Sequence, residues 1–236
     1  YYCKRSTLIA LKGLNIDITK TTATLQGFGN VAEYAARLYT QMGGTIIAIS
    51  CWDNHDSKSY TFRNKSGLDI EKLVSIKDSF GTIDKNKAQE FGYEILPGDE
   101  WIAQDVDIIL PAALENQITV ESFKKISNKV KVICEAANGP TAPDADKLIK
   151  EKGIFLVPDF LANAGGVTCS YFEQVQCNNN YFWPKEEVLE KLDAKMTSAF
   201  QAVYKLALEK KLYMRDAAYV IAINRVAEAV KLRGWV

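Results

Sequence analysis

Thr22-Ala23-Thr24-Leu25-Gln26-Gly27-Phe28-Gly29-Asn30-Val31-Ala32 opens the stretch that decides the fold. An apolar run ends in a glycine-rich turn, a helix-like segment follows, and a second apolar run spans Thr45 to Ser50. Strand, turn, helix and strand in that order are the setting in which such a turn binds a dinucleotide. Gly27 permits the tight turn, and Gly29, lacking a Cβ, lets the backbone approach a pyrophosphate. Ala32 holds the third fingerprint position, where a small residue lets the helix lie against the strand. Val31, Ala35 and Leu38 fall on one helical face, and the amides opening that helix can point at an anion. The competing reading is a sharp strand–helix turn with no ligand.

Further apolar runs recur at Val106 to Leu110, Val130 to Cys134 and Ile154 to Val157, separated by helical or loop stretches. The alternation predicts an α/β fold: a Rossmann-type, doubly wound, mostly parallel sheet with helices on both faces. Ligands in such sheets lie outside the carboxyl ends of the strands. Here those ends read Gln26-Gly27-Phe28-Gly29, Ser50-Cys51-Trp52-Asp53, Pro111-Ala112-Ala113, Ala136-Ala137-Asn138-Gly139-Pro140 and Pro158-Asp159-Phe160. Small and turn-forming residues gather at that edge, although any single βα turn favours them for backbone reasons.

Leu68 to Lys77 reads as a short helix, and Asp78 to Glu100 as a polar stretch, helical only around Asp84 to Phe91. From Pro184, Val188, Leu192, Met196, Phe200, Val203 and Ala207 recur at spacings of four or three, the stripe of an amphipathic helix. A second helix follows Arg215, with Ile221, Val226, Ala229 and Val230 as its expected buried side. The whole chain, 1–236, thus reads as one dinucleotide-binding domain, with helices from about 184 packing back on it.

Lys plus Arg equals Asp plus Glu at 29 each, so no basic field points to nucleic acid. The apolar runs fall short of the ~20 residues of a membrane span, and Tyr1-Tyr2-Cys3-Lys4-Arg5 does not read as a secretory signal. A soluble, cytoplasmic protein is the expectation. The five cysteines, at 3, 51, 134, 169 and 177, form no Cys-x-x-Cys pair. With His55 as the sole histidine, in a polar loop, neither a zinc site nor a Ser-His-Asp triad has its parts.

Four motifs then occur in register. Gly27-Phe28-Gly29-Asn30-Val31, Pro111-Ala112-Ala113-Leu114-Glu115-Asn116, Glu135-Ala136-Ala137-Asn138-Gly139-Pro140-Thr141, and Pro158-Asp159 with Asn163-Ala164-Gly165-Gly166-Val167 resemble the glutamate/leucine/phenylalanine/valine dehydrogenases. Leu232-Arg233-Gly234-Trp235 is similar to the end of a glutamate dehydrogenase. The resemblance is to the coenzyme domain, and it places Tyr1 inside the helix preceding the fingerprint. It implies that the catalytic lysines, a catalytic aspartate and most hexamer contacts belong to an amino-terminal domain that nothing here resembles. No catalytic residue and no metal ligand is therefore expected in this chain.

By that resemblance Phe28, Gly29, Asn30 and Val31 would cradle the pyrophosphate of NAD. Ala112 and Ala113 would lie against the adenosine side, and Asn138 would reach the nicotinamide end. Asn163 would hold the carboxamide or substrate, with Gly166 and Val167 lining the substrate pocket. Ser170 would help bind the distal carboxylate of L-glutamate, where leucine and phenylalanine enzymes place an apolar residue. A hydroxyl can donate to a carboxylate, whereas an apolar group would leave that charge unpaired. The alternative is a serine bonded to the preceding helical turn.

One departure concerns the acid expected to bond the ribose: the slot after Ile49-Ser50 is Cys51, and Asp53 comes two residues late. Either Trp52-Asp53 turns back to serve the ribose of NAD, or the pocket tolerates NADP through Lys58 or Arg63. The implied reaction is oxidation of glutamate to 2-oxoglutarate and ammonium, which this chain alone is not expected to perform. Two other classes compete: a free-standing dinucleotide-sensing module, and another Rossmann enzyme. Short-chain dehydrogenases carry Tyr-x-x-x-Lys, and the match Tyr181 with Lys185 holds a proline between its members.

Overall fold

The computed structural model describes residues 13–235. The helix expected around Tyr1, and Cys3, lie outside them. The first five-residue strand, β1 (Thr22–Gln26), leads through the glycine turn into α1 (Asn30–Gln41) and on to β2 (Thr45–Asp53). Then come β3 (Lys58–Arg63), α2 (Ile70–Ser75), α3 (Lys85–Glu90) and β4 (Glu94–Pro97). A 3-10 turn (Gly98–Ala103) precedes β5 (Ile108–Pro111), α4 (Val120–Phe123), β6 (Val132–Cys134) and α5 (Pro143–Glu151). The chain closes with β7 (Phe155–Val157), α6 (Asp159–Ala162), α7 (Gly165–Asn179), α8 (Lys185–Lys210) and α9 (Met214–Leu232).

The seven strands form one sheet in the order β4-β3-β2-β1-β5-β6-β7. From β2 through β7 across the centre every pairing is parallel, while β2–β3 and β3–β4 are antiparallel. The doubly wound, mostly parallel sheet is as expected. Alternate residues of the inner strands serve opposite faces: Ile108 and Leu110 join one apolar cluster, Ile109 the other. The first cluster holds Ala32, Ala36 and Tyr39 of α1 with Phe200 of α8 and Met214 of α9; the second holds Trp101, Ile118 and Ile149.

Short helices start on local signals. Asp69 accepts from the Lys72 amide to cap α2, and Asp84 accepts from Asn86 and Lys87 to cap α3. Thr119 and Ser122 form a reciprocal capping box on α4, and Pro143 opens α5.

One element goes unread and one expectation fails. His55 lies in an exposed polar turn, as expected, but that turn closes a hairpin the sequence did not reveal: β2 runs on to Asp53 and pairs with β3, Asp53 opposite Lys58. That hairpin is half-buried and rich in polar residues, so hydropathy gave no run to read. On α9, Val226 is 64% exposed and Ala229 is exposed as well, because the helix buries only its start, at Met214, Ala217 and Ala218. On α1 the buried residues are Ala32, Ala35, Ala36 and Tyr39, while Val31, expected in the cradle, is exposed.

Candidate functional site

The strand order reverses between β1 and β5, and the crevice beyond the carboxyl ends at such a point is where doubly wound sheets take ligands. Gly27 leaves β1 at φ +90°, and a Cβ there would stand 2.9 Å from the Ala113 Cβ and 3.2 Å from the Ala112 carbonyl oxygen. The turns after β1 and β5 thus pack into each other. Gly29 has an ordinary φ of −75°, and a Cβ on it would meet nothing within 4 Å. Its missing side chain leaves open space instead of easing a turn. No side chain caps α1 at Gly29, so the first amides of the helix have no side-chain acceptor from that residue.

Phe28 is buried, with the Lys77 ammonium 5.2 Å from its ring centre. Its side chain is closed to a ligand. Lys77 also pairs with Glu33 in the first turn of α1.

At β2 the wall of the crevice rises. Ser50 stands opposite Gln26, and its hydroxyl accepts from the Gly27 amide at 3.3 Å. Asp53 comes three residues later, ~10 Å further along the strand. It is 4% exposed, lies 2.7 Å from the Lys85 ammonium, and accepts from the His55 amide at 2.8 Å. The hydrogen bond from Lys85 holds its carboxyl below the ordinary range. Trp52, by contrast, is exposed. Cys51, in the slot where the fingerprint expects an acid, is buried and donates to the Gly81 carbonyl at 3.1 Å. Burial pushes its thiol up to about 11. Arg63 is engaged with Glu94 at 2.5 Å, while Lys58 is exposed at the hairpin. A polar cleft of about 480 Å³ opens here, lined by Asp53, His55, Lys77, Asp78 and Lys85.

Across the switch point, Ala112 is half-buried and Ala113 exposed. Asn138 and Asn163 come together: the Asn163 amide donates to Asn138 Oδ1 at 2.7 Å and to the Ala137 carbonyl at 3.3 Å. An apolar cleft of about 490 Å³ joins the fingerprint helix to Asn163 of this pair, lined by Asn30, Val31, Tyr34, Leu38, Asn163 and Gly166 among others, while Asn138 does not line it. The exposed Val31 is part of that wall, with Ala35 and Leu38 of the same helical face. Val167 is 70% exposed, and neither it nor Ser170 lines that cleft. The Ser170 hydroxyl donates to the Gly166 carbonyl at 3.3 Å, the backbone bond weighed against its substrate role.

Sequence reasoning missed the charges that brace these loops: Lys77, Lys85, Glu135, Asp146 and Arg215. The one local signal was Glu135, a carboxylate directly after the buried run Val132-Ile133-Cys134. Among the described residues no group of His, Cys, Asp and Glu is arranged to hold a metal ion, and no helix is long and apolar enough to cross a membrane.

Residues 4–234 match the family model described as Glutamate/Leucine/Phenylalanine/Valine dehydrogenase. The chain is 44% identical over 222 residues to the NAD-specific glutamate dehydrogenase of Clostridioides difficile, covering 94% of this chain and 51% of that protein. The crystal structure of glutamate dehydrogenase from Peptoniphilus asaccharolyticus superposes with a TM-score of 0.80 at 36% identity, covering 100% of this chain and 53% of that one. The glutamate dehydrogenase of Plasmodium falciparum gives 0.88 at 27% identity, covering 99% and 50%. The chain spans about half the length of the curated relatives it matches.

Proposed function

The chain belongs to the glutamate/leucine/phenylalanine/valine dehydrogenase family, and from that premise we propose that it is the coenzyme-binding part of an NAD-dependent glutamate dehydrogenase. The open space at Gly29, above an uncapped helix start and beside the interlocked turns of Gly27 and Ala113, carries the proposal. A pyrophosphate fits there, because the backbone can approach it and the helix start favours negative charge.

The residues divide the coenzyme in two. Backbone of Phe28, Gly29, Asn30 and Val31 holds the phosphates; Ala112 and Ala113 give a side-chain-poor wall beside them. Trp52, at the tip of β2, bounds the adenosine side. Asn138 and Asn163, already bonded to each other, face the nicotinamide half, with Gly166 beside them. Val167 and Ser170 bound the substrate side, and Ser170 serves a distal carboxylate by turning its hydroxyl away from Gly166. Bound NAD supplies the hydride chemistry; the protein orients it.

NAD is favoured over NADP because Arg63 is engaged with Glu94 and Lys85 with Asp53 and Asp56, so that neither is free to meet a ribose phosphate. We assign Asp53 to the hairpin, since a ribose would have to share it with Lys85. Relatives named NAD-specific support the same choice.

The reaction so served is oxidation of L-glutamate to 2-oxoglutarate and ammonium. Imine hydrolysis needs acid–base groups poised near neutral pH, and these we place on the half of the relatives that this chain does not match. That half is also the partner through which a homo-oligomer would form. Nothing observed favours a free-standing sensing module over this reading. Calorimetric titration of the chain with NAD, NADP and glutamate tests it. Binding of NAD without NADH production from glutamate is expected; no binding of NAD would overturn the reading.

A further inference from the structure

Among the described residues the most deeply buried carboxylate is not in the cradle. Glu135 directly follows β6 with its side chain fully buried, and Arg215, at the start of α9, donates to it through Nη2 at 2.8 Å. The same guanidinium takes Asp146 of α5 through Nε at 3.0 Å and Nη2 at 3.2 Å. It reaches Asp159 of α6 through Nη1 at 3.3 Å. The Tyr213 hydroxyl donates to Asp146 at 2.9 Å. One planar fork therefore ties together β6, α5, α6 and α9. Burial works against the guanidinium's charge, but the bonds to Glu135 and Asp146 outweigh it and hold Arg215 above its ordinary value. Burial likewise pushes the Glu135 carboxyl up, against the pull of Arg215.

Such a buried cluster is costly to desolvate, and pinning one helix to a sheet does not require it. Its bonds lead to the site. Asp159 accepts from the Gly139 amide at 2.8 Å, and its own amide donates to Glu135 at 2.8 Å. The Asp159 carbonyl accepts from the Asn163 amide at 2.8 Å, and Asn163 in turn holds Asn138. Gly139, at φ +51°, and Asn138 are exposed, and their loop is held by this chain of bonds on one side and by backbone bonds from Asn116 to Gly139 and from Gln117 and Ile118 to Pro140 on the other.

We propose that Arg215 is the positioning residue of the nicotinamide half: its fork sets the spacing of Glu135 and Asp159, and through them the placement of Asn138 and Asn163. The inference rests on the coenzyme reading above and adds to it a residue remote from the cradle. Lysine cannot replace it, because a single ammonium cannot hold three carboxylates in fixed directions.

The test compares NADH with ADP-ribose, which has the adenosine and both phosphates but no nicotinamide. Both are titrated into the chain and into its Arg215→Lys, Arg215→Met and Tyr213→Phe variants. Removing the fork is expected to raise the Kd for NADH on the order of 10-fold and that for ADP-ribose less than ~2-fold. Tyr213→Phe keeps the fork and is expected to leave both unchanged. If Arg215→Met fails to fold, the Lys variant decides. Equal loss of both ligands, or no loss of NADH, would overturn the proposal while leaving the cradle intact. Failure of the unaltered chain to bind ADP-ribose would instead bring down the coenzyme reading, and this proposal with it.

Discussion

Gly27 and Ala113 meet so closely that a Cβ on the glycine would lie 2.9 Å from the alanine's, whereas two residues on, a Cβ on Gly29 would touch nothing. The two glycines of one fingerprint therefore do different work, the first closing the fold and the second leaving room for a ligand.

Alanine substitutions separate them. Gly27→Ala forces a side chain into a left-handed backbone at a cost of about 1–2 kcal/mol before the clash is counted, and should lower the Tm by several degrees. Gly29→Ala should leave the Tm unchanged while weakening NAD about 10-fold, roughly 1.4 kcal/mol. Thermal unfolding and calorimetry on the two variants check this; a Tm loss at Gly29 equal to that at Gly27 would contradict it.

The hairpin makes an acid-limb prediction. Lys85 holds the Asp53 carboxyl below its ordinary value of 3.8. A depressed carboxyl contributes stability above its unfolded pKa and loses it as pH falls through the folded one. Asp53→Asn should therefore lower the Tm near neutral pH and flatten its decline below about pH 4. An acid limb as steep as that of the unaltered chain would show that the ion pair is not the cause. NAD and NADP affinities should fall together in Asp53→Ala, since a loss confined to NAD would place this carboxylate on the ribose.

Thiol labelling distinguishes the cysteines. Cys51 is buried with its thiol pushed up to about 11, chiefly by burial, while Cys177 is exposed. At neutral pH a disulfide reagent should modify Cys177 quickly and Cys51 only on unfolding or at strongly alkaline pH. Peptide mapping of the labelled sites reads the order directly.

The two carboxy-terminal helices give a stability contrast. Phe200 is 1% exposed in the main core, so Phe200→Ala should cost about 3–5 kcal/mol. Val226 is 64% exposed, so Val226→Lys should stay within about 0.5 kcal/mol. Denaturant titration of both is sufficient.

That contrast marks where the sequence could be read. The parallel strands were legible because they are buried on both faces and show as unbroken apolar runs, and α8 because its stripe is regular and faces the core. β3 was not, because Lys58-Ser59-Tyr60-Thr61-Phe62-Arg63 mixes polar and apolar residues as a half-buried strand does. β4 was too short to register and ends in proline. The stripe on α9 has helical spacing, yet only the first turns of that helix reach the core. The fingerprint and its glycines could be placed from local order alone. Asp53 could not, since its partner Lys85 lies 32 positions away and no period links them. Glu135 and Arg215, 80 positions apart, meet only once β6 and α9 are folded against each other.

The margins of the sheet have a practical result. One border is four residues of β4, carrying Glu94 and ending in Pro97, which has no amide hydrogen to lend. The other is three residues of β7, against α9. A stray extended segment finds little length at either border on which to add itself as an eighth rung, so concentrated solutions should resist clumping by strand addition.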